Sequence, residues 1–328
     1  MLSGLGCASA GARSSAGHAD PAAAVSAEER ARRFDRVDRL VQRRYYARDL
    51  HGLNWTAVRE RYRPQAVAAA DDASWYRAVN AMLGELRDAH TRATPPRPEP
   101  DGAARSVRAH ASGKSNSRQE EAPQVRELGG GVVHLTFARF DAATVRWLTE
   151  QVRLHREARG LIIDLRDNGG GLISAAQRAV GLFFPERVAM GTVVTRSGRR
   201  YTEWSRPGRV EAPDVPLVVL VGRGSHSSAE VFAYVIQHHG RGVLIGGRTA
   251  GEVLGARPHR LPDGGRLYVS ETDFHRLEGG RLEGVGVVPD IRPYLGSAPW
   301  RTEARGDLAL HAAVEALRGD HPVLAAMR

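Results

Sequence analysis

The chain has 328 residues, of which 42% are hydrophobic and 26% charged, and a formal charge of +10 at pH 7. This length suits one large or two modest domains with a sizeable core, and no run approaches the roughly 18 apolar residues of a membrane-spanning helix. Cys7 is the only cysteine, which excludes a disulfide scaffold and zinc sites built on cysteine pairs; the basic residues are scattered among acids rather than gathered in a block, so no nucleic-acid partner is expected.

Residues 1–25 are rich in Ala, Ser and Gly, lack apolar periodicity and are expected to be disordered. Cys7 suggests the lipidated residue of an export signal followed by a tether. Only six residues precede it, however, with no basic segment or apolar stretch, and Gly4 stands where such signals usually carry Leu, Val or Ile. Export to the periplasm or cell envelope is the expectation, with the cytoplasm as the alternative. Ser26 and Glu29 have capping-box spacing, so a helix should start there, with Phe34, Val37, Leu40 and Val41 on one face. A second helix surrounds Trp55, Val58 and Tyr62, with Pro64 as its stop. A third runs from about Ser74 to Leu86 with Trp75, Val79, Met82 and Leu83 on its apolar side. Residues 26–91 therefore read as a helical domain. The polar, Pro-rich stretch 92–125 reads as a linker or mobile loop and holds Lys114, the only lysine.

From residue 126 to 298 the pattern alternates. GVVHLTF is a strand, DAATVRWLTEQVRLHREA a helix, GLIIDLR a buried strand, and LISAAQRAVGLFF a helix. VAMGTVVTR, RRYTEW and VPLVVLVG are strands, and SSAEVFAYVIQHHG is a helix stopped by Gly240. VLIGG, the two sides of the PDGG turn and GVGVVPDI supply further strands. Strands alternating with helices predict α/β layering with parallel pairing. A last helix, at about 305–317, lies in a helical tail spanning 299–328.

Three places could carry chemistry. Asp167-Asn168-Gly169-Gly170-Gly171 follows a buried strand; its glycines can turn sharply and present bare N–H groups to an oxyanion, or simply form a tight turn. Gly224 to Glu230 joins a strand to a helix, where a serine hydroxyl stands exposed at a helix N-terminus. Ser227 and Glu230 also have capping-box spacing, so Ser227 could be a helix cap and nothing more. His90, in LRDAHT at the end of the helical domain, is a lone histidine that could equally be structural.

LRDAHT, GLIIDLRDNGGG, VPLVVLVGRGSHSSAE, VLIGGRTAGE and EGVGVVPDI together resemble, in order and approximate spacing over roughly residues 30–295, the tail-specific or C-terminal processing serine peptidases. The resemblance implies a ClpP/crotonase-like α/β core with Ser227 as nucleophile. It places the oxyanion donors at Gly170 or Gly171 and at the N–H of Ser228. The best-known branch uses a lysine about 25 residues after the nucleophile; here that position is Glu252, and Lys114 lies in the linker. The motifs look more like the tricorn core protease and the bacterial relatives of retinoid-binding repeats, whose serine, histidine and glutamate correspond to Ser227, His90 and Glu283. A histidine titrates where it can take the serine proton, and a carboxylate can orient it. His226 adjoins Ser227, but neighbours at a turn normally point apart; His238 lies far along the helix. The PDZ domain of many relatives has no room between His90 and the core. The expected activity is peptide-bond hydrolysis on a peptide or protein substrate, with no metal or organic cofactor. The alternatives are a catalytically silent protein binding a peptide or small apolar ligand, and a crotonase-like acyl-CoA enzyme.

Overall fold

The computed structural model describes residues 25–96, 122–206, 214–293, 301–302 and 306–319. Cys7 and Lys114 lie outside the described residues, as do most of the N-terminal segment and of the expected linker. The Ser26 hydroxyl accepts the Glu29 N–H at 3.1 Å and starts α1 (Ala27–Arg44), as its spacing predicts. Helix α2 (Trp55–Val67) runs through Pro64 instead of stopping at it. A proline one turn before a helix end forfeits a single amide bond, which the last turn tolerates. Helix α3 (Asp72–Gly84) carries a full capping box between Asp71 and Ser74.

The stretch expected to be a linker is strand at both ends. Strand β1 (Arg92–Thr94) directly follows the histidine motif, and β2 (Gln124–Glu127) precedes β3 (Val132–Thr136). Both escape the sequence because they are short and polar; β2 is an edge strand exposed along its whole length. The rest of the core follows as α4 (Ala142–Leu154), β4 (Gly160–Asp164), α5 (Ile173–Val180), β5 (Ala189–Thr195), β6 (Arg200–Trp204) and β7 (Leu217–Val221). Then come α6 (Ser228–His238), β8 (Val243–Gly246), β9 (Gly255–Arg260), β10 (Arg266–His275) and α7 (Leu308–Arg318). The GVGVVPDI segment is not a strand. Its glycines take positive φ at 284 and 286, and it touches the sheet through an Ile245–Ile291 bridge and through Asp290, whose Oδ2 accepts the Leu244 N–H at 2.7 Å.

One five-stranded sheet has the order β2-β3-β4-β7-β8, parallel from β3 to β8. Strand parity sorts its faces, because successive side chains point to opposite sides. Leu135, Ile163, Val219 and Leu244 join the cluster made with α4, α5 and α6, while Val132, Ile162, Val218 and Ile245 pack on Ala309, Ala313 and Leu317 of α7. Helix α6 is buried on every side from Ser228 to Ile236, as befits a central helix. A second sheet, β1-β10-β5-β6 with β9 also paired to β10, carries α1–α3 on one face through Leu261, Leu267 and Val269. The turns after β4, β7 and β8 therefore emerge at the carboxyl edge of the parallel sheet, the usual place for a ligand site in such a fold.

Candidate active site

After β4 the chain makes the glycine turn. Asn168, fully buried, donates from Nδ2 to the Phe137 carbonyl (2.8 Å) and accepts the Gly170 N–H on Oδ1 (2.9 Å), while its carbonyl takes the His226 N–H (3.0 Å). Gly170 (φ +83°) lies against the serine turn: a methyl group there would stand 2.6 Å from the Ser227 Cβ. Among the described residues the N–H groups of Gly171 and Ser228 have no hydrogen-bond partner, whereas that of Gly170 is held by Asn168.

After β7 comes the serine. Ser227 has φ +54° and ψ −119°, a region that side chains avoid. Its N–H donates to the Glu252 carbonyl (2.9 Å) and to Glu230 Oε2 (3.1 Å), and its carbonyl accepts the Glu230 and Val231 N–H groups. Its hydroxyl makes no capping bond. The residues stand in a capping-box arrangement, in which the hydrogen bonds run from the Ser227 N–H to Glu230 and from the Glu230 N–H to the Ser227 carbonyl.

Glu230 is 0% exposed, and its carboxylate accepts from the Thr249 hydroxyl (2.5 Å) and from the N–H groups of Gly251 (2.7 Å), Glu252 (2.8 Å) and Ser227. Burial raises its pKa, and these four donors oppose the rise. One carboxylate thereby ties the loop after β8 to the serine turn.

His90 arrives from the other sheet. Arg87 takes a positive φ of 52°, Asp88 Oδ1 accepts the His90 N–H (2.8 Å), and Asp88 Oδ2 accepts the Thr91 hydroxyl (2.5 Å). Pairing of β1 with β10 and stacking of Arg92 on Tyr268 fix the segment. The imidazole is 1% exposed; its Nδ1 is 3.8 Å from Asp88 Oδ1, and neither ring nitrogen has a hydrogen-bond partner. Burial lowers its pKa; the charges of Asp88 and Glu252 act against that, and those of Arg92 and His226 add to it. His90 is thus in electrostatic reach of both residues that flank the serine turn. Glu283 accepts the Val253 N–H at 2.6 Å and is pushed up to about 7, first by burial and then by the charges of Asp88 and Asp273. It is held beside the loop that carries Glu252, and it makes no ion pair with His90.

The sequence gives no sign of one contact. His226 Nδ1 bonds Glu252 Oε2 at 2.9 Å, directly beside Ser227, with side chains 32% and 38% exposed. That hydrogen bond, ahead of burial, which opposes it, raises the histidine's pKa. Two residues 26 positions apart leave no local signature; only the glutamate in the place of the lysine drew attention to the position. Tyr45, almost wholly buried, was also missed: its phenol is raised first by burial and then by Asp88 and, more weakly, Glu283. His238 pairs with Glu278 (3.2 Å) at the far end of α6. No group of three or more His, Cys, Asp or Glu side chains among the described residues is placed to hold a metal ion, and no helix among them is long and apolar enough to cross a membrane.

Residues 131–292 match the family model of peptidase family S41, and residues 26–84 match that of the tricorn protease C1 domain. Residues 131–292, the α/β core, are thus similar to peptidase family S41. A carboxyl-terminal-processing protease of Synechocystis sp. is 30% identical over 197 residues, covering 58% of this chain and 45% of that protein. The chain spans less than half the length of the carboxyl-terminal-processing relatives it matches. The photosystem II D1 C-terminal processing protease superposes with a TM-score of 0.56 at 21% identity, covering 85% of this chain and 96% of that one. The tricorn protease superposes with a TM-score of 0.57 at 20% identity, covering 90% of this chain and 37% of that one. The two superpositions speak for the S41 fold.

Proposed function

We propose that the protein is a serine peptidase of the carboxyl-terminal-processing kind, acting on a peptide or protein chain. The observation that carries this reading is Ser227, held in a strained backbone at the N-terminus of α6 with a hydroxyl free of capping duty, next to two unpartnered N–H groups. Strain of that kind costs about 1–3 kcal/mol and persists only where surrounding structure enforces it. Ser227 Oγ attacks the scissile carbonyl, and the N–H groups of Gly171 and Ser228 receive the developing oxyanion. Gly170 gives the serine its room. His90 takes the hydroxyl proton, since its buried, neutral imidazole is a base ready for use. Glu283 is the carboxylate that steadies the imidazolium as it forms, ionising from a resting state that is partly protonated near neutrality. Processing at a free carboxyl end, supported by the names of the relatives, belongs to the same proposal, as does a place in the periplasm or cell envelope.

A serine-reactive fluorophosphonate tests it. The wild-type protein should be labelled at Ser227 and Ser227→Ala should not. A native protein that takes no label would favour a silent peptide-binding or ligand-binding protein on the same fold.

A further inference from the structure

We propose that His226, held by Glu252, is a second catalytic imidazole: the acid that protonates the departing amine and, in the next half-reaction, the base that activates water. The inference rests on the reading of Ser227 and His90 given above.

Its geometric basis is a rigid carboxylate–imidazole pair at the nucleophile. His226 precedes Ser227 in the chain, and its Nδ1 is taken by Glu252 Oε2 at 2.9 Å, so Nε2 is the nitrogen left to meet a substrate. The backbone of the pair is pinned on three sides. The His226 N–H donates to the Asn168 carbonyl (3.0 Å), the Ser227 N–H to the Glu252 carbonyl (2.9 Å), and the Glu252 N–H to buried Glu230 (2.8 Å). The two histidines differ in access: His226 is about one-third exposed, while His90 is sealed. A proton donor to a leaving group must reach substrate and be recharged from solvent, and an exposed imidazole can do both.

The electrostatics separate the two rings. His226 faces Glu252 and, more distantly, Glu230, both of which favour its protonated form against a smaller burial effect. His90 is held neutral by burial, Arg92 and His226, against Asp88 and Glu252. Two titratable groups driven apart by their surroundings are the usual mark of an acid and a base working together.

The protons balance over a full cycle. In acylation neutral His90 removes the Ser227 proton as the Oγ–C bond forms. The His226 imidazolium then gives its Nε2 proton to the amine nitrogen as the C–N bond breaks. In deacylation neutral His226 takes a proton from the attacking water, and the His90 imidazolium returns its proton to Ser227 Oγ as the ester bond breaks. The enzyme ends as it began, and no oxidant or further reactant is needed.

The test compares two acylations that differ in leaving group. Fluorophosphonate expels fluoride, which needs no proton, whereas a quenched fluorescent peptide library must release amines. His226→Gln, whose amide can still meet Glu252, should lose about 100-fold in kcat/KM on the peptides, within the range of general acid catalysis. It should label at Ser227 within about twofold of the wild type. Glu252→Gln should move the alkaline limb of the kcat/KM profile down by about one pH unit, because the imidazolium loses its counter-charge, and the acidic limb down by less, because Glu252 acts on His90 without a hydrogen bond. Equal losses in labelling and peptide cleavage would reduce His226 to support for the turn and overturn the proposal, as would unchanged cleavage in His226→Gln or an unmoved alkaline limb in Glu252→Gln. A wild-type protein that neither labels nor cuts the library would overturn the nucleophile reading together with it.

Discussion

The carboxyl of Glu283 shows how one residue can link chemistry to stability. Its pKa is pushed up to about 7 by burial and by neighbouring acids, against an ordinary value near 4.5. The folded protein therefore holds a proton there that the unfolded chain releases between about pH 4.5 and 7, so its contribution is fully present below that window and lost as pH rises through it. Glu283→Gln should consequently be more stable than the wild type at pH 8 by about 1–2 kcal/mol, a figure discounted for the group's partial exposure, and scarcely different at pH 4. Urea denaturation at the two pH values checks this. The same variant should lose peptidase activity, because an amide can position an imidazole but cannot balance its charge. At this scale, what the sequence made legible was residue type within a motif: Ser227 stands at the start of α6, His90 is buried just before β1, and Glu283 accepts the Val253 N–H. What it left hidden was partnership. The nearest carboxylate to the His90 ring is Asp88, at 3.8 Å, and the bond between His226 and Glu252 joins two loops whose meeting only the fold decides.

Among the elements, the glycine turn after β4 and the serine turn after β7 are built as one unit. Gly170 sits at φ +83°, and a Cβ there would press on the Ser227 Cβ and, at 2.7 Å, on the His226 carbonyl. Gly170→Ala should destabilise the fold by about 1–3 kcal/mol through backbone strain and lower the labelling rate more than a hundredfold, since the displaced turn is the one that carries the nucleophile. Thermal denaturation and labelling, measured on the same sample, separate the two effects. Elements with strong periodicity, such as α1 and the parallel strands, could be read directly, because apolar side chains repeating every two or 3.6 residues need a buried face. The short polar strands β1 and β2 carry no such pattern, since backbone pairing to a neighbour forms them and not burial. GVGVVPDI shows the opposite failure: it is apolar enough to pass for a strand, yet its glycines adopt turns around the loop after β8.

On the scale of the whole molecule, the site depends on two bodies staying together. The helices that lead to His90 pack on the β9–β10 hairpin, and buried Arg33 bridges them. It bonds Asp72 at 2.9 Å, pairs with Asp263 in the hairpin and lies 4.4 Å above the Trp75 ring, while the Tyr76 hydroxyl also reaches Asp263. Arg33→Met keeps the apolar stem but leaves Asp263 without its cation, and removing one partner of a buried pair typically costs about 3–5 kcal/mol. Amide hydrogen exchange should speed up first in α1, α3 and the segment 87–94, ahead of β4 and β7. Peptidase activity should fall with it, because the base is carried on the loosened part. Sequence pattern reads as a helical segment followed by an α/β one; the clamp from Arg33 to Asp263 joins residues 230 positions apart and is a product of folding.

The central claim is that the buried imidazole delivered by the helical body activates the serine delivered by the parallel sheet. The rate of fluorophosphonate labelling at Ser227 as a function of pH, in the wild type and in His90→Ala, tests it most directly. The wild-type rate should rise with pH through the ionisation of His90, at or below the ordinary imidazole value since burial lowers it, with a further rise near pH 7 as Glu283 ionises. In His90→Ala the rate should fall by roughly a thousandfold or more and lose the ionisation of the imidazole. A variant that labels Ser227 as fast as the wild type, or a wild-type rate that rises only above about pH 9, where an imidazole has long since titrated, would contradict the account.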